Sequence, residues 1–185
     1  MTEEQKILYH GSQEKITGTH LHVSTGNIRG AIPGKREEVV AVFATTKSKA
    51  TVYAARHLIM GFPGRCTLRG TGDTLFTTTV QPNISGKIYL YEVDSDDFIL
   101  DQEEEYYCLT DKKILRVIEL DVREEIRKGN IKIRVPKEPI DFSKLSEQEH
   151  DELFYKLRQD INNWCPYTPS YIDMTATLAN QGPDR

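Results

Sequence analysis

A short acidic run leads directly into an aromatic segment at residues 101–108, which read Asp-Gln-Glu-Glu-Glu-Tyr-Tyr-Cys. Strands disfavour Glu and adjacent like charges repel, so three successive carboxylates are hard to explain as a folding requirement. If Glu105 opens a strand, side-chain alternation places Glu103 and Glu105 on one side and Glu104 on the other. Two carboxylates would then converge on one point, where they could stabilise a positive charge or take up a proton. A solvated acidic loop is the alternative interpretation.

A histidine is presented at the end of the first predicted strand. Residues 6–10, Lys-Ile-Leu-Tyr-His, form a short apolar run that is broken by Gly-Ser, so they predict a strand with His10 at its end. Residues 13–36 are rich in Gly, Thr, Ser, Asn and Pro, and only residues 21–23 suggest a brief strand. An irregular segment of this length is more often functional than idle.

A tyrosine is presented on the first predicted helix. Residues 39–45 form a continuous apolar run, which predicts a buried strand. Residues 47–60 follow, with small and apolar side chains at helical spacing, and predict a helix that ends at Gly61. Tyr53 lies within this helix, and taken alone it is expected to be a core aromatic.

The remaining pattern predicts mostly strands and one closing helix. Strands are expected at residues 74–80, 87–93, 106–108, 114–122 and 131–135, the last as an edge strand, with a brief helix at 123–128. Ser146 and Glu149 form a capping box, which predicts a helix that continues until Pro166, and the last twenty residues are expected to be irregular. This order favours an α+β fold dominated by antiparallel sheet. No Gly-x-Gly-x-x-Gly follows a strand, which argues against a Rossmann dinucleotide site.

Composition limits the classes of protein. With 185 residues, 38% hydrophobic and 28% charged, we expect one domain over residues 1–135 and a helical extension with an irregular tail over 136–185. The net charge of −4 and the lack of a basic block argue against stable nucleic-acid binding. Three scattered cysteines argue against a disulfide framework or a metal site. No run is long enough to span a membrane and no secretory signal opens the chain, so the cytoplasm, its own or a target cell's, is the expected location.

The ordered set of these motifs resembles the ADP-ribosyltransferase superfamily, in the His-Tyr-Glu branch that includes diphtheria toxin and the poly(ADP-ribose) polymerases. The resemblance covers residues 6–125 and rests on Leu-Tyr-His-Gly-Ser at 8–12, on Val-Phe-Ala-Thr at 42–45 followed by the segment 47–53, and on Glu-Tyr-Tyr at 105–107. It implies a split antiparallel β-sheet core with flanking helices. It also implies NAD+ as co-substrate, no metal, and transfer of ADP-ribose to an acceptor.

The residue types suit that chemistry. Cleavage of the bond between nicotinamide and ribose passes through an oxocarbenium-like transition state, which a carboxylate beside the sugar stabilises. By resemblance, Glu105 bonds the 2′-hydroxyl of this ribose, Tyr53 stacks on the cationic nicotinamide, and His10 bonds the adenosine ribose. The backbone of Gly11 would hold the carboxamide at an approach too close for a Cβ.

Further residues are assigned to the site with less support from the motifs. Ser12 and Phe43 belong to the same motifs and are assigned to NAD+ binding, and Arg29 is a candidate partner of the pyrophosphate. Glu103 forms Glu-x-Glu with Glu105, a pattern that resembles the arginine-directed transferases and suggests a role in orienting and deprotonating the acceptor.

Two positions depart from the family pattern. Ala50 stands where many members have a serine that holds the carboxamide, and Val42 stands where the polymerases have a second stacking tyrosine. These departures disfavour polymer synthesis, so mono-ADP-ribosylation of a protein or nucleic acid is the preferred prediction. The alternatives are transfer to a small molecule, as in the rifamycin ADP-ribosyltransferases, hydrolysis of NAD+, and a nucleotide-binding module without turnover.

Overall fold

The computed structural model describes residues 6–60, 73–77, 79–102, 104–163, 165 and 171–181. In chain order the elements are β1 (Ile7–Ser12), β2 (His20–Leu21), β3 (Ser24–Arg29), β4 (Arg36–Ala44), α1 (Lys47–Met60), β5 (Thr74–Phe76), β6 (Lys87–Asp94), β7 (Ile99–Gln102), β8 (Glu105–Cys108), β9 (Lys112–Lys113), β10 (Arg116–Asp121), α2 (Val122–Arg127), β11 (Lys132–Pro136), a 3-10 turn (Phe142–Lys144), α3 (Glu147–Asn162), β12 (Tyr171–Asp173) and α4 (Thr175–Ala179). The protein is thus α+β, with mainly antiparallel sheets, as the sequence predicts. The described part of the chain has no helix long and apolar enough to cross a membrane.

The chain divides into two compact units. Unit 1 comprises Met1–Ala54 and Ile88–Glu119, and unit 2 comprises Ala55–Lys87 and Leu120–Arg185. This division does not coincide with the boundary after residue 135 expected from the sequence. The reason is that β11 pairs in parallel with β5, which precedes it by more than fifty residues, so the C-terminal part folds with a central part of the chain.

Unit 1 is built from two main antiparallel sheets. One has the order β1-β6-β10 and the other has the order β3-β4-β8-β7. Apolar side chains from both sheets and from β2 form one core: Leu8, Leu21, Val42, Ala44, Tyr91 and Val93. Because Val42 and Ala44 of β4, and Tyr91 and Val93 of β6, stand two positions apart, the strand period in the sequence directs these side chains to one buried face of each sheet.

The two sheets are joined at a single pair of residues. Tyr9 of β1 and Thr45, just after β4, exchange two backbone hydrogen bonds of 2.8 Å each. Strand β1 pairs with β6 along its whole length, from Ile7 to Ser12, and β4 pairs with β8 from Val42 to Ala44. Among the described residues, the isolated bridge between Tyr9 and Thr45 is where β1 and β4 pair through their backbones, and the two strands part beside it.

Helix α1 has the bounds predicted from its spacing, and its first turns cover β1. The backbone of Gly11 lies so close to α1 that a Cβ at this position would overlap the carbonyl oxygen of Ala50 and crowd Ala54. Both alanines are buried. Small residues on the strand and on the helix thus let the two backbones approach closely.

Strands β3 and β7 of unit 1 were not predicted from the sequence. The segment 13–36, expected to be irregular, contains β3, which pairs with β4 from Ser24↔Ala41 to Arg29↔Arg36. Residues 99–102, of which 101 and 102 belong to the acidic run whose alternative interpretation was a solvated loop, form β7, which pairs with β8. In both cases polar residues are extended because a neighbouring strand supplies the hydrogen bonds, not because of their own propensity.

In unit 2, two expectations from the sequence were wrong, one for β11 and one for the C-terminal segment. Strand β11 is the central strand of the sheet β12-β11-β5 and not an edge strand, and its residues Ile133 and Val135 are buried. The C-terminal segment, expected to be irregular, supplies β12 and α4, and Tyr171 of β12 packs edge-on against Phe76 of β5 with ring centroids 5.1 Å apart. Burial of this aromatic pair explains why the segment is ordered there.

The start of α3 confirms the predicted capping box. Glu149 N–H donates to Ser146 Oγ over 3.2 Å, and Ser146 N–H donates to Glu149 Oε2 over 2.9 Å. These reciprocal bonds satisfy two N–H groups that would otherwise lack partners at the helix start.

Candidate active site

His10 is held in one tautomer at the point where β1 and β4 part. Its Nδ1 lies 2.7 Å from the carbonyl oxygen of Phe43, and because a carbonyl only accepts, Nδ1 carries the proton. Burial lowers the pKa of His10 below the ordinary value of about 6.5, against the opposing effect of this hydrogen bond. The ring is therefore neutral at pH 7, and its Nε2 is a hydrogen-bond acceptor.

A cavity of about 270 Å³ adjoins the imidazole of His10. Its lining combines apolar side chains with two imidazoles and one hydroxyl: His10, Ile16, Leu21, His22, Ser24, Val42 and Phe43. Whole-ligand pockets typically measure about 300 to 1,000 Å³, so this cavity suits one part of a dinucleotide, such as a nucleoside. Apolar walls with a few polar atoms are what a flat heteroaromatic base requires.

The backbone of Gly11 is directed toward the gap between the two sheets. Tyr9 bonds Thr45 with both its N–H and its C=O. Because successive residues of a strand point these groups to alternate edges, those of Gly11 face the same edge as those of Tyr9. However, the contact with Ala50 gives Gly11 a structural reason to lack a side chain, independent of any ligand.

Tyr53 is not a core aromatic. Its side chain is 54% exposed, although Ala50 and Ala54 on the same helix are buried. Since Ala50 precedes it by three positions, Tyr53 lies on the flank of the helix face that covers Gly11. The expected stacking residue is thus on the surface of α1 near β1, and it does not line the cavity beside His10.

Glu105 opens β8, as the sequence predicts, and is exposed. Phe43 is directly opposite Tyr107, so their side chains share a face of the sheet, and Glu105, two residues before Tyr107, shares it too. Glu105 is therefore on the same face of the sheet as the side chains of Phe43 and Tyr107, and it does not line the cavity beside His10. Gln102 donates to its Oε2 over 3.4 Å.

The described acidic neighbours of Glu105, Asp101 and Glu104, are each held by hydrogen bonds to other strands, although Glu104 is exposed. Asp101 accepts the backbone N–H of Arg29 over 2.8 Å. Glu104 adopts a positive φ of 68°, its carbonyl accepts Thr45 Oγ1 over 2.7 Å, and its carboxylate is 3.8 Å from Lys49 Nζ. The turn that presents Glu105 is thus fixed to the residue that bridges the two sheets, Thr45.

The remaining predicted site residues are Glu103, Arg29, Ser12 and Phe43. Glu103 lies outside the described residues. Arg29 is exposed at the end of β3, and its backbone N–H donates to Asp101. Ser12 is half-buried at the end of β1, where its Oγ accepts the N–H of Glu14 over 3.1 Å. The ring of Phe43 lies over Gly26, where a Cβ would overlap it.

The sequence analysis missed a second imidazole at the cavity. His22 lines it, and Nδ1 of His22 is 2.9 Å from Asp111 Oδ2. The other carboxylate oxygen of Asp111 accepts the N–H of Val23 over 2.9 Å. Because His22 and Asp111 are far apart in the chain and belong to no spaced motif, only the three-dimensional pairing reveals them.

The described residues contain no group of three His, Cys, Asp or Glu side chains placed to hold a metal ion. Comparison of the chain with protein-family models, with curated proteins and with solved structures gives no match.

Proposed function

We propose that the protein is a cytoplasmic mono-ADP-ribosyltransferase, which cleaves NAD+ at the bond between nicotinamide and ribose and transfers ADP-ribose to a protein or nucleic acid. The observation that carries the proposal is the hydrogen bond from His10 to Phe43 beside a nucleoside-sized cavity, at the gap between two sheets. The fold proposed is the split antiparallel sheet of the ADP-ribosyltransferases, and the single bridge between Tyr9 and Thr45 supports it.

The adenosine half of NAD+ fits the cavity. The Nε2 of His10 accepts a ribose hydroxyl, because Nδ1 is occupied by the carbonyl of Phe43. The apolar walls formed by Ile16, Leu21 and Val42 receive the base. The lowered pKa of His10 keeps the ring neutral, so that it acts as an acceptor for a hydroxyl and not as a counter-ion for phosphate.

The nicotinamide half lies along the gap beyond His10. The backbone N–H and C=O of Gly11, which face this gap, bind the carboxamide. Tyr53, on the adjacent flank of α1, stacks on the cationic ring, an interaction worth about 0.5 to 2 kcal/mol. Tyr53 is 54% exposed, which supports a contact with a ligand from solvent.

Glu105 supplies the charge that the reaction needs. Its carboxylate bonds the 2′-hydroxyl of the nicotinamide ribose and stabilises the cationic sugar as nicotinamide leaves. What supports this role is the pairing of Tyr106, the residue after Glu105, with Ala44, because the residue after Ala44, Thr45, forms the bridge to Tyr9. Glu103, when placed beside it, deprotonates the acceptor group that attacks the sugar.

A second candidate is a nucleotide-binding module without turnover. A specific observation favours it: Ala50, at the position where many transferases have a carboxamide-binding serine, is fully buried against Gly11 and offers no hydroxyl. In this case the cavity beside His10 binds the nucleoside, while Glu105 has no role in bond cleavage.

Incubation with NAD+ labelled in its adenylate phosphate, together with a cell lysate, tests the proposal. We expect release of nicotinamide and label in the macromolecular fraction, and separate protease and nuclease treatments identify the acceptor. Binding of NAD+ by calorimetry without nicotinamide release would support the binding module instead. Absence of both binding and release would refute both functions.

A further inference from the structure

Hydrogen bonding to Asp111 fixes which nitrogen of the His22 imidazole, at the cavity, carries a proton. Asp111 holds it through Oδ2, while Oδ1 of the same carboxylate is fixed by the N–H of Val23, each over 2.9 Å. Because a carboxylate accepts, Nδ1 of His22 carries a proton, and in this tautomer Nε2 is an acceptor. Hydrogen bonds from His22 and Val23 also hold the pKa of Asp111 below its ordinary value, so the carboxylate stays charged.

The two imidazoles of the cavity have different positions. His10 is half-buried within β1, whereas the side chain of His22 is 76% exposed, so His22 lies at the mouth of the cavity. The apolar side chains of Ile16 and Leu21 belong to the same lining. A nucleoside that places its sugar at His10 therefore extends its base along these walls toward His22.

We propose that His22, oriented by Asp111, reads the exocyclic group of the bound base and makes the site select adenine over a 6-oxopurine. This inference rests on the proposed function, since it takes the ligand to be NAD+. The 6-amino group of adenine donates a hydrogen bond, which Nε2 accepts, whereas the 6-oxo group of hypoxanthine or guanine can only accept. Two acceptors facing each other leave both unpaired, which is how a polar site rejects an analogue.

The ligand pair that isolates this contact is NAD+ and nicotinamide hypoxanthine dinucleotide. The two differ only at the purine, and all groups that would contact His10, Gly11, Tyr53 and Glu105 are identical. We expect the wild-type protein to bind NAD+ about tenfold more tightly, the preference that one such hydrogen bond gives.

The substitution Asp111→Asn gives the sharpest test because it preserves shape and reverses polarity. With its amide oxygen on the N–H of Val23, the asparagine presents its NH₂ group to Nδ1 of His22, so the imidazole proton moves to Nε2. The ring then donates toward the cavity. We expect the preference to invert, with the hypoxanthine dinucleotide bound more tightly than NAD+.

Two further variants complete the experiment. His22→Phe keeps a ring but removes the acceptor, so the ratio of the two dissociation constants should approach one. His20→Phe alters a neighbouring exposed histidine of β2 that does not line the cavity, and it should keep the wild-type ratio. Binding is measured by calorimetry, so the result does not depend on turnover.

The outcomes separate the two claims. Inversion in Asp111→Asn with loss of preference in His22→Phe supports the inference. Equal ratios in the wild type and in both variants, with NAD+ still bound, would overturn the role of His22 and leave the proposed function standing. Failure of the wild type to bind either dinucleotide would overturn the proposed function, and this inference with it.

Discussion

The imidazole of His10 donates a hydrogen bond to the backbone carbonyl of Phe43, and this bond lies next to the backbone bridge between β1 and β4. One residue earlier Tyr9 and Thr45 pair through backbone groups alone, whereas Nδ1 of His10 reaches the carbonyl of Phe43 over 2.7 Å. Phe43 is two residues from Thr45, so its carbonyl faces the same edge of β4. Because β1 and β4 part here, the carbonyl of Phe43 would otherwise have no partner from a neighbouring strand. The side chain of His10 supplies its hydrogen bond.

The lowered pKa of His10 makes stability depend on pH. The unfolded chain takes up a proton at a pKa of about 6.5, whereas the folded protein does so only at a lower pH. The contribution of His10 to the free energy of unfolding is thus complete above about pH 6.5 and is lost as the pH falls through the interval down to the folded pKa. We expect His10→Gln to flatten the dependence of the melting temperature on pH in this interval.

The reference point for this comparison is about pH 8, where the ring is neutral in both states. At that pH, a difference in melting temperature between His10→Gln and the wild type measures the effect of the lost hydrogen bond. A difference in how steeply the melting temperature changes with pH measures the effect of removing the titrating group. Melting curves with the same slope in both proteins between about pH 6.5 and pH 5 would show that folding does not suppress protonation of His10.

The packing of Gly11 against α1 predicts a large cost for a small substitution. Gly11→Ala places a Cβ onto the carbonyl oxygen of Ala50, and a backbone atom cannot rotate away. We expect the free energy of unfolding to fall by about 1 to 3 kcal/mol in chemical denaturation, as for overpacked cores.

Two controls define the cause of that loss. Gly26→Ala meets the far end of the Phe43 ring, which can shift, so its cost should be smaller than that of Gly11→Ala. Adding Ala50→Gly to Gly11→Ala should give no rescue, because the obstructing atom belongs to the backbone. Full rescue by Ala50→Gly would contradict the close approach of β1 and α1.

The exposure of Tyr53 separates its effect on binding from its effect on folding. Because the side chain is 54% exposed, Tyr53→Ala should change the free energy of unfolding by less than about 1 kcal/mol. It should weaken NAD+ binding by about 0.5 to 2 kcal/mol, while Tyr53→Phe, which keeps the ring, should bind nearly as the wild type. Calorimetry and thermal unfolding of both variants check this, and equal NAD+ affinity in Tyr53→Ala would remove Tyr53 from the site.

Local signals in the sequence were sufficient for several elements. The bounds of α1 follow from the spacing of its small and apolar residues, and the start of α3 follows from the capping box of Ser146 and Glu149. In each case the element is defined by contacts between residues at most four positions apart in the chain. Such contacts leave a local pattern in the sequence.

Elements that depend on distant partners could not be predicted in the same way. Strand β3 reads Ser-Thr-Gly-Asn-Ile-Arg and is extended only because β4 pairs along its full length. Strand β11 was expected at an edge, yet β5 and β12 pair with it on either side. Such pairings are tertiary, and they override the weak local preferences of polar residues.

The candidate site shows the same limit. The positions of His10 at a strand and of Glu105 at the start of another follow from the sequence, because each depends on a local boundary. The exposure of Tyr53 could not be predicted from the sequence, because helical spacing alone places this residue on a buried face. The pairing of His22 with Asp111 joins residues 89 positions apart, for which the chain offers no local signal.

The most direct test of the proposed transferase is the rate of nicotinamide release from saturating NAD+ by Glu105→Gln, with Glu104→Gln as the matched control from the same turn. Glutamine keeps the size of each side chain and removes its charge, and Glu104 is the carboxylate that faces Lys49. We predict a loss of at least about a hundredfold for Glu105→Gln with NAD+ affinity largely retained, and a near wild-type rate for Glu104→Gln. A wild-type rate in Glu105→Gln, or an equal loss in both variants, would contradict the role of Glu105.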